Sequence, residues 1–375
     1  MPIVLTDDQL RLLRVRSQRL APQPASTVLD VVRETGGLQA QDSAAGSLSA
    51  PARGSGITAE EVDRARLEER SVVRTWAMRG TLHLVPAEDL GWLLPLFEPV
   101  FVPRDRGRLS QLGIDESAAV RGVRVIRDFL ARHGLATRTE IRGELAANGI
   151  PAEGQATIRL IYRAAFEGLI CCSADKGAGT HEFALLDDWV ERGPALPREA
   201  ALTELARRYI EAYGPATLED FAIWSSLPMR EARHGWHGIS GHLIEVELIE
   251  VEAWGKPAWL HRSCAAWLDE PSPPSPIVRL LPRFDTYLLG YRSREIALRP
   301  QYVKRLLPGG GILNTTLLVN GRLVGIWQLK RTSKQAEVMV EPFEELPSEV
   351  VAAVEAEVED IGRFLEQPVT MSLLA

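Results

Sequence analysis

Apolar residues recur at helical spacing near the start of the chain. Leu10, Leu13 and Leu20, with Val15 between them, follow a Thr6-x-x-Gln9 capping pattern and predict a helix over 6–21. A second amphipathic run over 26–35 stops at Gly36-Gly37, which accept backbone conformations other residues resist, and the short segment Leu38-Gln39-Ala40-Gln41 follows. Thr58-x-x-Glu61 opens a third helix, to residue 70. The period then shortens to two: SVVRTWAMRGTLHLV reads as two strands joined by a turn at Arg79-Gly80.

The same grammar returns. Residues 117–133 predict a helix, Gly134-Leu-Ala-Thr137 opens a second, 155–167 a third, and GLICCSA with THEFALL supplies two strands. Helix 198–212 leads into Gly214-Pro-Ala-Thr217, a near copy of the earlier entry, then EDFAIWSS, MREARHGW and the strand HLIEVELIEV. Thr137 with Glu140, and Thr217 with Asp220, carry the chemistry of an N-cap three residues before an acid. Helices closed by a β-hairpin are winged-helix grammar, which predicts an α+β chain with three such units over 1–114, 115–197 and 198–276.

Glu270-Pro-Ser-Pro-Pro-Ser-Pro276 ends the series, because proline removes donors and bars the preceding residue from helix. From 277 to 375 the pattern is mainly β: IVRLLPRF, TYLLGYRSRE, GILNTTLLVN, RLVGIWQLKR and AEVMVE, with Asn320-Gly321 as a hairpin signal. A closing helix over 347–366 should dock on this sheet through Val350, Val351, Val354, Val358, Ile361 and Phe364.

Charge refines the picture. The 375 residues carry a formal net charge of −7, which excludes a polycation that coats nucleic acid indiscriminately. Within that total, 277–340 holds eleven Lys and Arg against three Asp and Glu, while 341–375 holds one against nine. A polyanionic partner could bind the first stretch; alternatively the acidic tail neutralises it inside the fold. Cys171, Cys172 and Cys264 form neither a disulfide framework nor paired zinc spacing, and no signal-peptide pattern or run of ~18–20 apolar residues is present, so a cytoplasmic protein is expected. His234, His237 and His242 form the sole histidine cluster but lack a nearby carboxylate or thiol to complete a metal set, and no metal or other cofactor is expected. Phosphate-loop, dinucleotide and nucleophile-elbow motifs are missing.

Four segments carry a resemblance. Gly36-Gly37-Leu38-Gln39-Ala40-Gln41-Asp42, the run from Arg74 to His83 (RTWAMRGTLH), Leu281-Pro-Arg-Phe-Asp285 through Leu289-Gly-Tyr-Arg292, and Leu318-Val-Asn-Gly321 together resemble the AlkZ-like (YcaQ-type) winged-helix DNA glycosylases. The resemblance implies a C-shaped array of tandem winged helices with a C-terminal β-rich, barrel-like domain, acting as a monomer on double-stranded DNA that contains alkylated purines and associated with the nucleoid. It places the family's catalytic Gln-Φ-Gln element on Gln39 and Gln41, with Ala40 as Φ, in a branch that unhooks bulky N7-alkylguanines and interstrand crosslinks, in DNA repair or in self-resistance to a genotoxic antibiotic.

The chemistry can also be argued from the residues. Breaking an N-glycosidic bond needs a departing base that accepts the electron pair, a water on the opposite sugar face and stabilisation of oxocarbenium-like charge. Glutamine cannot take a proton, but its amide oxygen accepts a hydrogen bond from water and its amino group fixes geometry. Such a site suits a base already cationic, as N7-alkylguanine is. Asp42 is expected to be a structural N-cap. On the first wing, Arg74, Trp76, Arg79 and His83 alternate and are candidate DNA contacts. Arg283, Arg292, Arg294, Arg299, Lys304, Arg305, Lys330, Arg331 and Lys334 are candidate phosphate clamps. The competing expectation is a non-catalytic regulator reading the major groove with the helix ATIRLIYRAAFEGL, which offers Arg159 and Arg163 but few base-reading amides.

Overall fold

Five threonines set the helical frame of this computed structural model, which describes residues 3–22, 26–175, 180–248, 257–271 and 273–374. Thr6, Thr27, Thr58, Thr137 and Thr217 each accept from the backbone of the residue three positions on, whose own side chain reaches back. The first region runs β1 (Ile3–Leu5), helices Asp7–Ser17 and Val28–Glu34, β2 (Leu38–Gln39), helices Ser43–Leu48 and Ala59–Asp63, and the hairpin β3 (Val72–Trp76) and β4 (Leu82–Pro86).

A 22-residue helix, Leu90–Gln111, follows although Pro95, Pro99 and Pro103 lie inside it. The three prolines recur every four residues on one exposed face, so the backbone they disrupt opens to solvent while Leu93, Leu94, Phe97, Val100 and Phe101 are buried on the other. The Pro95 carbonyl, deprived of an N–H at residue 99, receives the Arg198 guanidinium instead, at 3.5 Å.

The second region is helix Glu116–His133, β5 (Leu135–Thr137), helices Arg138–Ala147 and Ala156–Phe166, β6 (Ile170–Asp175) and β7 (His181–Leu185). The third is helices Arg198–Tyr213, Leu218–Ser225 and Met229–Gly238, then β8 (Leu243–Leu248) and β9 (Ala258–His261); the end of the expected HLIEVELIEV strand lies outside the described residues. Then come β10 (Val278–Leu281), β11 (Thr316–Val319), β12 (Arg322–Arg331), β13 (Ala336–Pro342), helix Ser348–Leu365 and β14 (Val369–Leu373).

Among the described residues, three sheets join these regions. The first and second hairpins fuse into one six-stranded sheet of order β2-β4-β3-β6-β7-β5, with Arg74 on β3 opposite Cys172 on β6. The first strand of the chain pairs parallel with β8 of the third region, and β9 completes that sheet. The third sheet, β10-β11-β12-β13-β14, stays open between two edge strands, which corrects the expected barrel-like closure. Helix Ser348–Leu365 occupies its face instead, burying Val350, Val354, Val358, Ile361 and Phe364 in a core shared with Val28, Val31, Leu38 and Leu84 of the first region.

The run TYLLGYRSRE is not the expected strand. Asp285 caps a short helix, Thr286–Leu289, and Tyr287 and Tyr291, four residues apart, are both buried with their hydroxyls donating to the Gly321 and Tyr213 carbonyls at 2.7 and 2.9 Å. Helical spacing decides the segment. Asn320-Gly321, with φ of 48° and 80°, forms the expected tight hairpin turn.

Candidate active site

Gln39 and Gln41 sit at the edge of the six-stranded sheet, where β2 pairs with β4 and Gln39 lies opposite His83. The Ala40 N–H donates to the Leu82 carbonyl at 2.8 Å, so the segment is held as strand and its side chains alternate. Gln39 is 6% exposed and Gln41 is exposed. Both amide oxygens are occupied by protein donors. The Arg79 guanidinium donates to Gln39 Oε1, and the Leu82 backbone N–H donates to Gln41 Oε1 at 3.2 Å. Since these partners only donate, each amide is fixed oxygen-inward, with one lone pair and its amino group left for other contacts.

Asp42 is an N-cap as expected, accepting from the Ala45 N–H at 3.1 Å and starting helix Ser43–Leu48. That helix explains the small Φ residue. A Cβ placed on Gly46 would stand 2.6 Å from the Ala40 Cβ, so the two backbones approach closely only because both residues are small. An open cleft of about 470 Å³ begins at Asp42 and is lined further by Ala45, Pro282, Arg283 and Trp327.

The β3–β4 hairpin differs from the expected exposed face. Every residue of β3 and β4 is buried, because β6 and the helix Ala156–Phe166 cover what would otherwise be open. Trp76 stacks on Phe183 (15° between planes, centroids 6.4 Å apart) and meets the edge of Tyr162, which makes it core. His83 is fully buried, its Nδ1–H donating to the Thr81 carbonyl at 2.9 Å, and burial with the neighbouring Arg79 charge lowers its pKa to about 3. Arg74 is 1% exposed and turned inward: Nε donates to the Ala40 carbonyl at 2.9 Å, Nη2 reaches the Gln41 carbonyl at 3.5 Å and Nη1 pairs with Asp175 at 3.3 Å. Burial thus removes Arg74, Trp76 and His83 from direct contact with DNA.

Arg79 stands apart. It occupies the left-handed region at the hairpin tip, φ 57°, an uncommon conformation for a side-chain-bearing residue and one that clusters at functional sites. Its guanidinium faces only neutral oxygens among the described residues: Gln39 Oε1 and the Trp224 and Leu289 carbonyls, the last two at 3.4 and 3.5 Å. Burial, reinforced by the Arg294 charge, lowers its pKa to about 10, and Arg294 is shifted down by burial too.

The C-terminal cations divide. Arg299 pairs with Glu344 and Arg305 with Glu341, at 2.7 and 2.6 Å, so the acidic tail neutralises this part of the basic stretch and these two are not free clamps. Lys330, Arg331 and Lys334 are exposed at the β12–β13 turn; Arg331 bonds Gln367 at 3.0 Å. Arg292 and Lys304 are exposed, whereas Arg283 and Arg294 are half-buried, each with an Nε that meets no acceptor among the described residues. His234 and His237 are exposed on one helix while His242 stacks on His261, and among the described residues no group of His, Cys, Asp and Glu is arranged to hold a metal ion. No helix among them is long and apolar enough to cross a membrane.

Two features escaped the sequence reading: the Asp175–His181 pair beside Arg74, and the buried ion pair of Arg53 with Asp285, whose two bonds are 2.7 and 2.8 Å long. Arg74 meets Asp175 across 101 positions and Arg53 meets Asp285 across 232, and no local spacing announces either.

With this geometry in view, a family description, DNA glycosylase AlkZ-like, matches residues 32–364. The chain belongs to the AlkZ-like DNA glycosylase family. It is 29% identical over 372 residues to an interstrand DNA cross-link repair glycosylase of Streptomyces sahachiroi, covering 93% of this chain and 94% of that protein. Among solved structures, the S. sahachiroi DNA glycosylase AlkZ has the same fold, with a TM-score of 0.81 and 25% identity over 99% of this chain and all of that one.

Proposed function

We propose that this AlkZ-like chain is a monofunctional DNA glycosylase that hydrolyses the N-glycosidic bond of N7-alkylated purines, including bulky adducts and interstrand crosslinks, as a monomer in the cytoplasm, at the nucleoid. The three α+β regions over 1–114, 115–197 and 198–276 are read as winged-helix units in a C-shaped array that grips the duplex, with 277–375 as the fourth domain. The observation that carries the activity is the pair of amides at the strand edge, each pinned oxygen-inward by a fixed donor.

In the reaction, water oxygen bonds to C1′ as the bond from C1′ to N9 breaks, and the electron pair goes to N9, neutralising the cationic ring. The water proton passes to solvent. Gln39 and Gln41 use their remaining lone pairs to orient that water and their dipoles to stabilise charge on the sugar. Arg79 holds Gln39 in place, and because neither it nor Arg294 meets a carboxylate among the described residues, their charge is left for a backbone phosphate beside the lesion. Lys330 and Lys334 at the β12–β13 turn are further phosphate contacts.

The regulator reading loses its main element. Helix Ala156–Phe166 is packed against Leu90–Gln111 and Glu116–His133, Arg163 is bonded to Glu116 and Glu167, and Arg159 pairs with Asp105, so it presents no reading face. The test is release of N7-methylguanine from alkylated duplex in EDTA. Wild-type protein should act, and Gln39→Ala with Gln41→Ala should lower the single-turnover rate by about 10²–10³-fold per amide removed. An unchanged rate rejects the assignment.

A further inference from the structure

A carboxylate from the second region reaches the Gln-Ala-Gln segment of the first. Asp175 ends β6, the strand that meets β3 at Arg74. Its Oδ1 takes Arg74 Nη1 at 3.3 Å and the His181 Nδ1–H at 2.5 Å; its Oδ2 takes Arg66 Nη2 at 3.1 Å and the Ser43 hydroxyl. These partners bracket Gln41. On one side, Arg74 donates to the Ala40 and Gln41 carbonyls. On the other, Ser43 is the first residue of the helix that Asp42 caps. One carboxylate therefore ties down the chain both before and after the exposed glutamine. Burial alone would raise the Asp175 pKa, but the His181 and Ser43 hydrogen bonds and the Arg66 and Arg74 charges outweigh it and hold the group ionised. Because that carboxylate only accepts, the hydrogen between it and His181 belongs to Nδ1.

We propose that Asp175 is a positioning residue for base excision: through Arg74 and Ser43 it fixes the backbone that presents Gln41, so the second hairpin completes a site begun on the first. The inference rests on the role given above to Gln39 and Gln41. It follows from the chemistry of those residues, since a glutamine that cannot take a proton contributes only by its placement, and placement fails when its backbone is released.

The decisive comparison uses the full chain and a duplex carrying N7-methylguanine. Asp175→Asn should slow single-turnover base release about 10–100-fold. Binding to an uncleavable 2′-fluoro analogue of the same duplex should stay within about twofold, and Asp175→Glu, which keeps the charge, should recover part of the rate. His181→Gln removes the ring nitrogen that lies 3.1 Å from Arg74 Nη1 but leaves that guanidinium its carboxylate, and should slow release less, again without weakening binding. If Asp175→Asn does not fold, His181→Gln decides. Wild-type rates in the variants, or losses of rate matched by losses of binding or of folded protein, overturn the proposal. A wild-type protein that releases no base strikes the glycosylase reading instead, so the two failures are distinct.

Discussion

The six-stranded and five-stranded sheets treat their arginines and lysines in opposite ways. In the six-stranded sheet, β3 and β4 are covered on every side, and Arg74 spends its donors on the Ala40 and Gln41 carbonyls and the Asp175 carboxylate. In the five-stranded sheet, Lys330, Arg331 and Lys334 are exposed at the end of β12 and the turn after it, and Arg331 donates to the neutral Gln367 amide. Alternation along the two strands looks alike in sequence; what separates them is a pairing from elsewhere in the chain. Strand β6 arrives on β3 from about a hundred residues away, and the Arg74 guanidinium is turned onto protein acceptors rather than out to solvent. A buried guanidinium is tolerable there because it meets acceptors and a charge partner.

The largest effect should come from a contact that joins the first region to the C-terminal one. Arg53, beyond the helix Asp42 caps, and Asp285, before the short helix of the C-terminal region, form a two-bond ion pair with side chains 0% and 4% exposed. Arg53→Ala leaves a carboxylate buried without its charge partner and should cost about 3–5 kcal/mol in unfolding by urea. A loss under about 1 kcal/mol would mean that the two halves do not depend on this joint.

The interiors should also differ in their response to acid. His83 is held neutral, its pKa lowered from 6.5 to about 3 by burial and by Arg79, so the folded state binds fewer protons than the unfolded chain between those values. The stability it contributes is present above about pH 6.5 and is lost as pH falls towards 3. Glu357, on the helix that covers the five-stranded sheet, is shifted upward by burial, which has the opposite sign: its contribution is full below its unfolded value and shrinks as pH rises through the folded one. His83→Gln, which cannot titrate, should flatten the acid-side fall in melting temperature, and an unchanged slope would place that sensitivity elsewhere.

What could be read in the sequence follows the range of the interactions. The caps at Thr6, Thr58, Thr137 and Thr217, the Asn320-Gly321 turn and the Asp42 cap depend on residues three positions apart or fewer, and all are where the pattern put them. Gln39 and Gln41 were legible as a motif. Their surroundings were not: Arg79 reaches Gln39 across 40 positions and Asp175 meets Ser43 across 132. Helix Leu90–Gln111 was hidden by its prolines, which read as breakers until their common face is known. The burial of Trp76 and His83 depends on the neighbouring region, which a two-residue period cannot report.

The smallest effect separates two sets of cations within the five-stranded sheet itself. Replacing Lys330 and Lys334 with Ala should lower the slope of log affinity against log salt by about 0.9 for each phosphate that is no longer neutralised, while affinity falls similarly for every duplex sequence. Arg299 and Arg305 are the internal comparison, because Glu344 and Glu341 already neutralise them. Removing those two should leave the slope unchanged, since no counterion is released from a phosphate they never touch. If instead the paired arginines set the slope and the exposed lysines do not, the salt bridges open on DNA, and the acidic tail acts as a competitor for the duplex rather than as part of the sheet's permanent packing.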